Sequence, residues 1–217
     1  MPRRLAPALV NRAFHLLYTR LAWSYDVVAW GVSFGQWREW GAAALPFLTG
    51  PRVLELGHGP GHLLAALAGR GYEVVGLDLS PQMGRLARRR TPTARLVCAR
   101  AQAAPFAAGS FDGALATFPT AYITASETAA AVYRLLRPGG RLVIVPEARL
   151  GGRGPLRAIV EWLYRVTGQR GAAAEDLAAK PAFWTDALSA AGLLISLREV
   201  HVRDSLVTVV VAERPYK

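Results

Sequence analysis

The feature that most restricts what this chain can become is a glycine-rich turn set directly behind a short apolar run: Arg52-Val-Leu-Glu55-Leu-Gly57-His-Gly59-Pro-Gly61-His62. RVLEL is brief, apolar and bounded by turn residues, as a buried strand is. Glycine at alternate positions behind it lets the backbone reverse sharply and lets a ligand lie directly on the main chain. GHLLAALAGRG then reads as a helix that stops at glycine. The alternation continues with YEVVGLDL as a strand and PQMGRLARRR as a helix opened by Ser80 and Pro81. ARLVCA and FDGALATF are two further strands. A helix from about Ala125 to Leu136 stops at Pro138-Gly139-Gly140, and RLVIVPEA is a fifth strand. Helices follow around Leu156–Val166 and Ala182–Ala191. LLISLREVHV and SLVTVVVAE lie close enough together to form an antiparallel pair at one sheet edge. Strands that alternate with helices imply a mostly parallel sheet covered on both faces. The expectation is a doubly wound α/β domain of seven strands with the last one antiparallel.

Ahead of this pattern, residues 1–50 read as a helical N-terminal arm, with the domain proper over 51–217. Val10, Phe14, Leu17 and Leu21 share one helical face, and Trp23, Trp30, Trp37 and Trp40 follow. Arg12, His15 and Arg20 interrupt the apolar residues, so the arm reads neither as a membrane span nor as a cleavable signal. The single cysteine, Cys98, excludes an internal disulfide framework and any multi-cysteine metal site, and no metal is expected. A reducing cytoplasm is the expected compartment. The net charge of +11 is carried almost wholly by arginine, for only Lys180 and Lys217 are lysine. Two readings of that charge stand side by side: a compositional bias toward arginine codons, and attraction to an anionic membrane surface. The basic residues are scattered and no nucleic-acid module is present, so no nucleic acid is expected.

In a doubly wound sheet, ligands bind beyond the carboxyl ends of the strands, where this glycine turn falls. The spacing is G-x-G-x-G. A dinucleotide fingerprint needs glycine where His62 stands, which disfavours an NAD-dependent oxidoreductase. Glu55, inside the strand's end, is a carboxylate that needs a partner, and an ammonium group would supply one. Asp78 closes the second strand about 20 residues beyond Gly57, where a carboxylate accepts from ribose hydroxyls. Capping the next helix is the alternative for Asp78, but Ser80 and Pro81 already stand where a cap belongs.

VLELGHGPG, GLDLSPQM, APFAAGSFDGAL and LLRPGGRLVIV, in that order and spacing, resemble the core motifs of class I S-adenosylmethionine-dependent methyltransferases over roughly residues 50–146. The resemblance implies S-adenosylmethionine as cofactor, with Gly57, His58, Gly59 and Gly61 around its methionine part and Glu55 near its amine. Asp78 would hold the ribose, and Leu79 and Met83 would lie against the adenine. The family's acidic residue before the fourth strand is replaced by Arg100, which leaves Ala101 and Gln102 to meet the adenine amine. Phe118 and Pro119 would form the floor near the reacting sulfonium. Tyr25-Asp26, followed by Ser33, Gly35, Trp37 and Arg38, resembles the lead-in of quinone-biosynthesis and phospholipid N-methyltransferases, and implies that Tyr25 reaches the cofactor carboxylate.

Methyl transfer from a sulfonium is an in-line displacement, so alignment and exclusion of water matter more than an activated nucleophile. Where the acceptor must lose a proton, His58, Tyr122 and Glu147 are the candidate catalytic residues, with His62 and His201 as weaker bases. The expected acceptor is a small apolar molecule, quinone-like or a lipid amine. The apolar face of the N-terminal arm has two readings, contact with an anionic membrane surface and packing on the domain with its arginines solvated. A non-catalytic cofactor-binding regulatory module is the competing reading. The Arg149–Gly154 stretch reads as a mobile loop.

Overall fold

The computed structural model describes residues 35–150 and 182–216. Strand β1 (Arg52–Leu56) lies inside a seven-stranded sheet, parallel to β2 (Glu73–Asp78) on one side and to β4 (Phe111–Thr117) on the other. Strand β3 (Arg95–Cys98) pairs with β2 and forms one edge. Beyond β4 come β5 (Leu136–Leu150), β7 (Ser205–Glu213) and β6 (Leu194–Val202), in the order β3-β2-β1-β4-β5-β7-β6. β7 runs antiparallel to both neighbours and is the one reversed strand of this sheet. The expected doubly wound architecture is the one found.

The two-residue period of the strands sorts their side chains between two cores. Leu54, Leu56, Val75, Leu77, Leu142 and Ile144 face helices α4 (Ser126–Leu135) and α5 (Ala182–Ala190). Val53, Val74, Leu115, Val143 and Val145 face α1 (Trp37–Ala42), α2 (His62–Ala68) and α3 (Pro81–Arg90). Helix α1 and the residues after it bury Trp40, Ala43, Ala44 and Leu45 in the second core. That part of the N-terminal arm packs as the domain does.

The chain departs from the expected boundaries in two places. Helix α4 ends at Leu135 and β5 begins at Leu136, so Pro138-Gly139-Gly140 lies within the strand rather than before it. The register slips between Phe111 and Gly113 of β4. Gly139 donates its amide to Arg214 (2.7 Å), and Arg214 donates to Gly140 (2.8 Å), so the chain's end satisfies backbone that a turn would leave open. At its other end β5 runs on to Leu150, because β7 continues opposite Glu147–Leu150 after a bulge between Ile144 and Glu147. Arg149, expected in a loop, therefore sits in the strand with Glu147. The helical face Val10–Leu21, Tyr25, Trp23, Trp30, the helix at Leu156–Val166 and residues 151–154 of the expected loop lie outside the described residues.

Candidate functional site

The strand order reverses at β1, whose successor β2 lies on one side and β4 on the other, and this switch point opens a crevice at the carboxyl ends. The glycine turn fills it. Gly57, Gly59 and Gly61 have φ of 70°, 53° and 84°, a left-handed conformation that disfavours any side chain. What surrounds them differs. A Cβ on Gly57 would stand 2.7 Å from the Tyr122 hydroxyl, and one on Gly61 would stand 2.8 Å from the Cα of Ala87 on α3. A Cβ on Gly59 would meet nothing within 4 Å. The outer glycines thus admit close packing, whereas the middle one faces open space that a ligand can take.

Three side chains hold this turn from outside. Asp78 accepts from the Gly59 amide through Oδ2 and from the Ser80 amide through Oδ1, both at 2.8 Å. Tyr122 donates its hydroxyl to the Leu56 carbonyl at 2.9 Å, and Arg90 donates to the Pro60 carbonyl at 2.7 Å. Ser80 caps α3 by accepting from the Met83 amide, with Pro81 in the first turn, so capping does not fall to Asp78. Each carboxylate oxygen of Asp78 keeps lone-pair capacity for a further donor.

Glu55 is 2% exposed, and its Oε2 has no hydrogen-bond partner among the described residues. Burial foremost, and the Asp78 charge next, push its carboxyl well above the ordinary value of 4.5, while a backbone hydrogen bond from Leu64 pulls the other way. A buried acceptor without a donor is costly, and this one borders the same cleft as Gly57, Gly59, Trp37 and Arg38. Arg38 on α1 escaped the sequence reading as a site residue. An exposed arginine on a helix has no local signal that separates it from a solvated one. Thr117 closes β4 in the same cleft and was likewise not singled out.

The remaining expectations divide. His58 is only 4% exposed, and its Nδ1 donates to the Gly59 carbonyl at 2.7 Å. Burial lowers its pKa, against the pull of Asp78, so the ring is neutral and turned inward over Gly76. His58 thus shapes the turn through this bond and also lines the cleft. Tyr122 also stabilises the turn, and Glu147 is paired with Arg149 at 3.1 Å on β5. His62, half-buried at the start of α2, lines the cleft, whereas His201 is exposed on edge strand β6. Leu79 is 61% exposed beside Asp78, an apolar surface available to a flat ring. Met83 is fully buried and offers no such surface. Ala101 is buried and Gln102 half-buried in a short 3-10 turn, Ala101–Ala103, that follows the exposed Arg100. Phe118, after β4, is one of two described residues other than glycine with positive φ (48°). Its ring lies 3.9 Å from that of Trp37, centre to centre. Backbone strain of this kind persists where packing over-determines it. Tyr25 lies outside the described residues.

The site therefore sets a buried carboxylate, unpaired among the described residues, beside an open glycine turn, a strand-end aspartate and an exposed leucine. Residues 53–140 match the family model described as a methyltransferase domain. The demethylmenaquinone methyltransferase of Renibacterium salmoninarum is 33% identical over 154 residues, 69% of this chain and 65% of that protein. Its counterpart from Thermus thermophilus is 36% identical over 140 residues, 59% of this chain and 63% of that one. The chain spans about half to two thirds of the length of the relatives it matches. Among solved structures, geranyl diphosphate C-methyltransferase from Streptomyces coelicolor, in complex with Mg2+, geranyl diphosphate and S-adenosyl-L-homocysteine, superimposes with a TM-score of 0.57 at 16% identity. That match covers 82% of this chain and 78% of the other. An N-methyltransferase of Haemonchus contortus in complex with phosphomonomethylethanolamine and S-adenosylhomocysteine gives 0.59 at 17% identity, covering 88% and 58%. At such identities the likeness is one of fold.

Proposed function

We infer, from the match of residues 53–140 to the methyltransferase-domain model and the demethylmenaquinone methyltransferase relatives, that this chain is a class I methyltransferase that binds S-adenosylmethionine at its glycine turn and methylates a small apolar acceptor. The observation that carries this reading is the orphaned Oε2 of Glu55, buried beside the open face of Gly59. A ligand ammonium supplies the missing donor. Arg38, across the same cleft, is a cation suited to the carboxylate of that amino-acid end, a role we also propose for Tyr25. Asp78 keeps acceptor capacity for ribose hydroxyls. Leu79, Ala101 and Gln102 border the place for the base. When bound, the cofactor supplies an electrophilic methyl group on sulfur.

The chain's own contribution is alignment and exclusion of water. Phe118, held under Trp37, forms an apolar wall at the end of β4. His58 is buried with Nδ1 committed to the Gly59 carbonyl and Tyr122 donates its hydroxyl to the Leu56 carbonyl, so we propose that positioning rather than proton removal dominates. A quinone-like acceptor is the preferred class, supported by the demethylmenaquinone methyltransferase relatives, with a lipid amine second. Contact with an anionic membrane, where such acceptors reside, belongs to the same reading. No described helix is long and apolar enough to cross a membrane.

Calorimetry tests the cofactor: S-adenosylmethionine and S-adenosylhomocysteine should bind and NAD should not, and the reverse result overturns the reading. Incubation with methyl-labelled cofactor and a bacterial lipid extract, followed by mass spectrometry, identifies the acceptor. Cofactor binding without any labelled product would favour the regulatory module instead.

A further inference from the structure

Beside the glycine turn, α3 and edge strand β3 enclose an open groove of about 520 Å³, lined by Arg85, Arg88 and Arg89 together with Asp78, Val97 and Cys98. The three arginines are spaced i, i+3 and i+4, so one helical face carries them all. Arg95, at the start of edge strand β3, and Arg100, just past its end, are exposed on the same edge of the sheet.

Elsewhere the fold sets carboxylates beside its arginines: Arg52 with Glu73, Arg137 with Asp112, Arg141 with Glu213, Arg149 with Glu147 and Arg203 with Glu39. Among the described residues no such partner stands beside Arg85, Arg88, Arg89, Arg95 or Arg100, and α3 contains no acidic residue. Asp78 also lines the groove, and its oxygens accept from the Gly59 and Ser80 amides rather than pairing with these arginines among the described residues. Arg88 is held in place by donating from Nη1 to the carbonyls of Pro92 (3.0 Å) and Ala94 (2.7 Å), which leaves Nε and Nη2 for another acceptor. Like charges at this spacing repel. The helix dipole offsets that for the arginines of the last turn, but not for Arg95 and Arg100, which come from other elements.

We propose that this α3–β3 groove docks the chain on the phosphate headgroups of an anionic lipid surface. The uncompensated positive charge complements such a surface and an apolar floor of Leu96 and Val97 lies beneath it. Among the described residues no Phe, Tyr or Trp lines the groove to give the stacking platform on which a single-stranded nucleic acid would rest. His58 borders both this groove and the glycine-turn cleft. A membrane seated here therefore lies next to the site, within reach of an acceptor dissolved in it. The proposal rests on the apolar acceptor argued above, and it assigns the docking surface to described residues rather than to the N-terminal arm.

Sedimentation of the full chain with phosphatidylglycerol-containing vesicles, set against pure phosphatidylcholine vesicles at low salt, tests it. Arg85→Gln/Arg89→Gln should weaken binding to the anionic vesicles by about thirtyfold, at about 1 kcal/mol for each arginine. Arg70→Gln/Arg198→Gln removes the same charge from exposed positions elsewhere and should leave most of the binding intact. Arg88 is kept because its backbone bonds support the fold. Equal losses in both pairs overturn the proposal in favour of diffuse charge, as does a wild-type chain that ignores anionic vesicles. Displacement by millimolar inorganic phosphate but not by chloride of equal ionic strength would reveal a discrete phosphate pocket instead. Preference for single-stranded DNA over vesicles in competition would reveal a nucleic-acid surface. Calorimetry with S-adenosylmethionine on the same variants should show unchanged affinity, so failure of docking and failure of the cofactor reading are told apart.

Discussion

At position 55 a carboxylate sits out of reach of water with one oxygen unpaired, and stability and binding pull on it in opposite directions. Its pKa in the empty folded chain is raised above the unfolded value, so the folded state holds the proton more tightly. The stability it confers is complete below the ordinary glutamate range and is lost as pH rises toward the raised value. Glu55→Gln removes this liability. Its melting temperature should match the wild type near pH 4 and exceed it increasingly toward neutrality, by about 2–4 °C for each kcal/mol relieved. The same substitution should weaken S-adenosylmethionine by tenfold or more, since the ammonium loses a charge-assisted bond of about 1.5–3 kcal/mol. Equal melting at pH 4 and pH 7.5 would show that Glu55 is not buried as a proton-binding group. Asp78 carries a different double role. Asp78→Ala should lower both the melting temperature, through the released Gly59 and Ser80 amides, and the cofactor affinity, by at least tenfold. A lowered melting temperature with affinity unchanged would reduce Asp78 to a brace for the turn. Glu55 and Asp78 were legible in the sequence because a carboxylate at the end of an apolar strand is an exception that asks for a cause. Where the His58 ring points was not legible, because a histidine among glycines can turn either way and only the packing over Gly76 decides it.

Among the elements, the three glycines that look alike in sequence act on different neighbours. Gly61 opens α2 where α3 crosses it, and a methyl group there would meet the Ala87 backbone, which cannot yield. Gly61→Ala should therefore loosen the α2–α3 contact and lose several kcal/mol, at the upper end of what overpacking costs (about 1–3 kcal/mol, occasionally more). Gly59→Ala should lose only about 1–2 kcal/mol, for its left-handed backbone, and keep a normal circular dichroism spectrum while its cofactor affinity collapses. Chemical denaturation and calorimetry on the pair check this. If Gly59→Ala binds normally, the turn is not the cradle. Element types were readable from periodicity, glycine stops and the Ser80-Pro81 start. The junction of α4 and β5 was not. Pro138-Gly139-Gly140 has turn chemistry, and what draws it into a strand is the backbone of Arg214, 74 positions further along by their numbers (214 − 140). The extension of β5 past Glu147 likewise depends on β7, a partner that no local pattern announces.

For the whole molecule, the ionisation of Glu55 ties ligand binding to pH. The empty site favours the protonated carboxyl, whereas an ammonium partner favours the charged form, so binding should release a proton. Affinity for S-adenosylmethionine should rise as pH increases through the raised value and then level off. Calorimetry in two buffers of different ionisation enthalpy reads that proton directly, and a binding heat identical in both, at a pH below the raised value, would refute the linkage. His58 acts in the other direction: its lowered pKa means that acid, by charging a buried ring, takes stability away. The sequence by itself determined the class of fold, the place of the glycine turn and the two acidic positions that flank it. Those follow from periodicity, backbone freedom and the cost of burying charge, which act over a few neighbouring residues. Only the tertiary structure decided which glycine faces ligand space, that His58 and Tyr122 brace the turn, that Arg38 joins Glu55 in one cleft, and that five arginines from α3 and the ends of β3 stand without carboxylates. Each of these depends on a distance between residues far apart in the chain, and the order in which strands enter the sheet sets that distance.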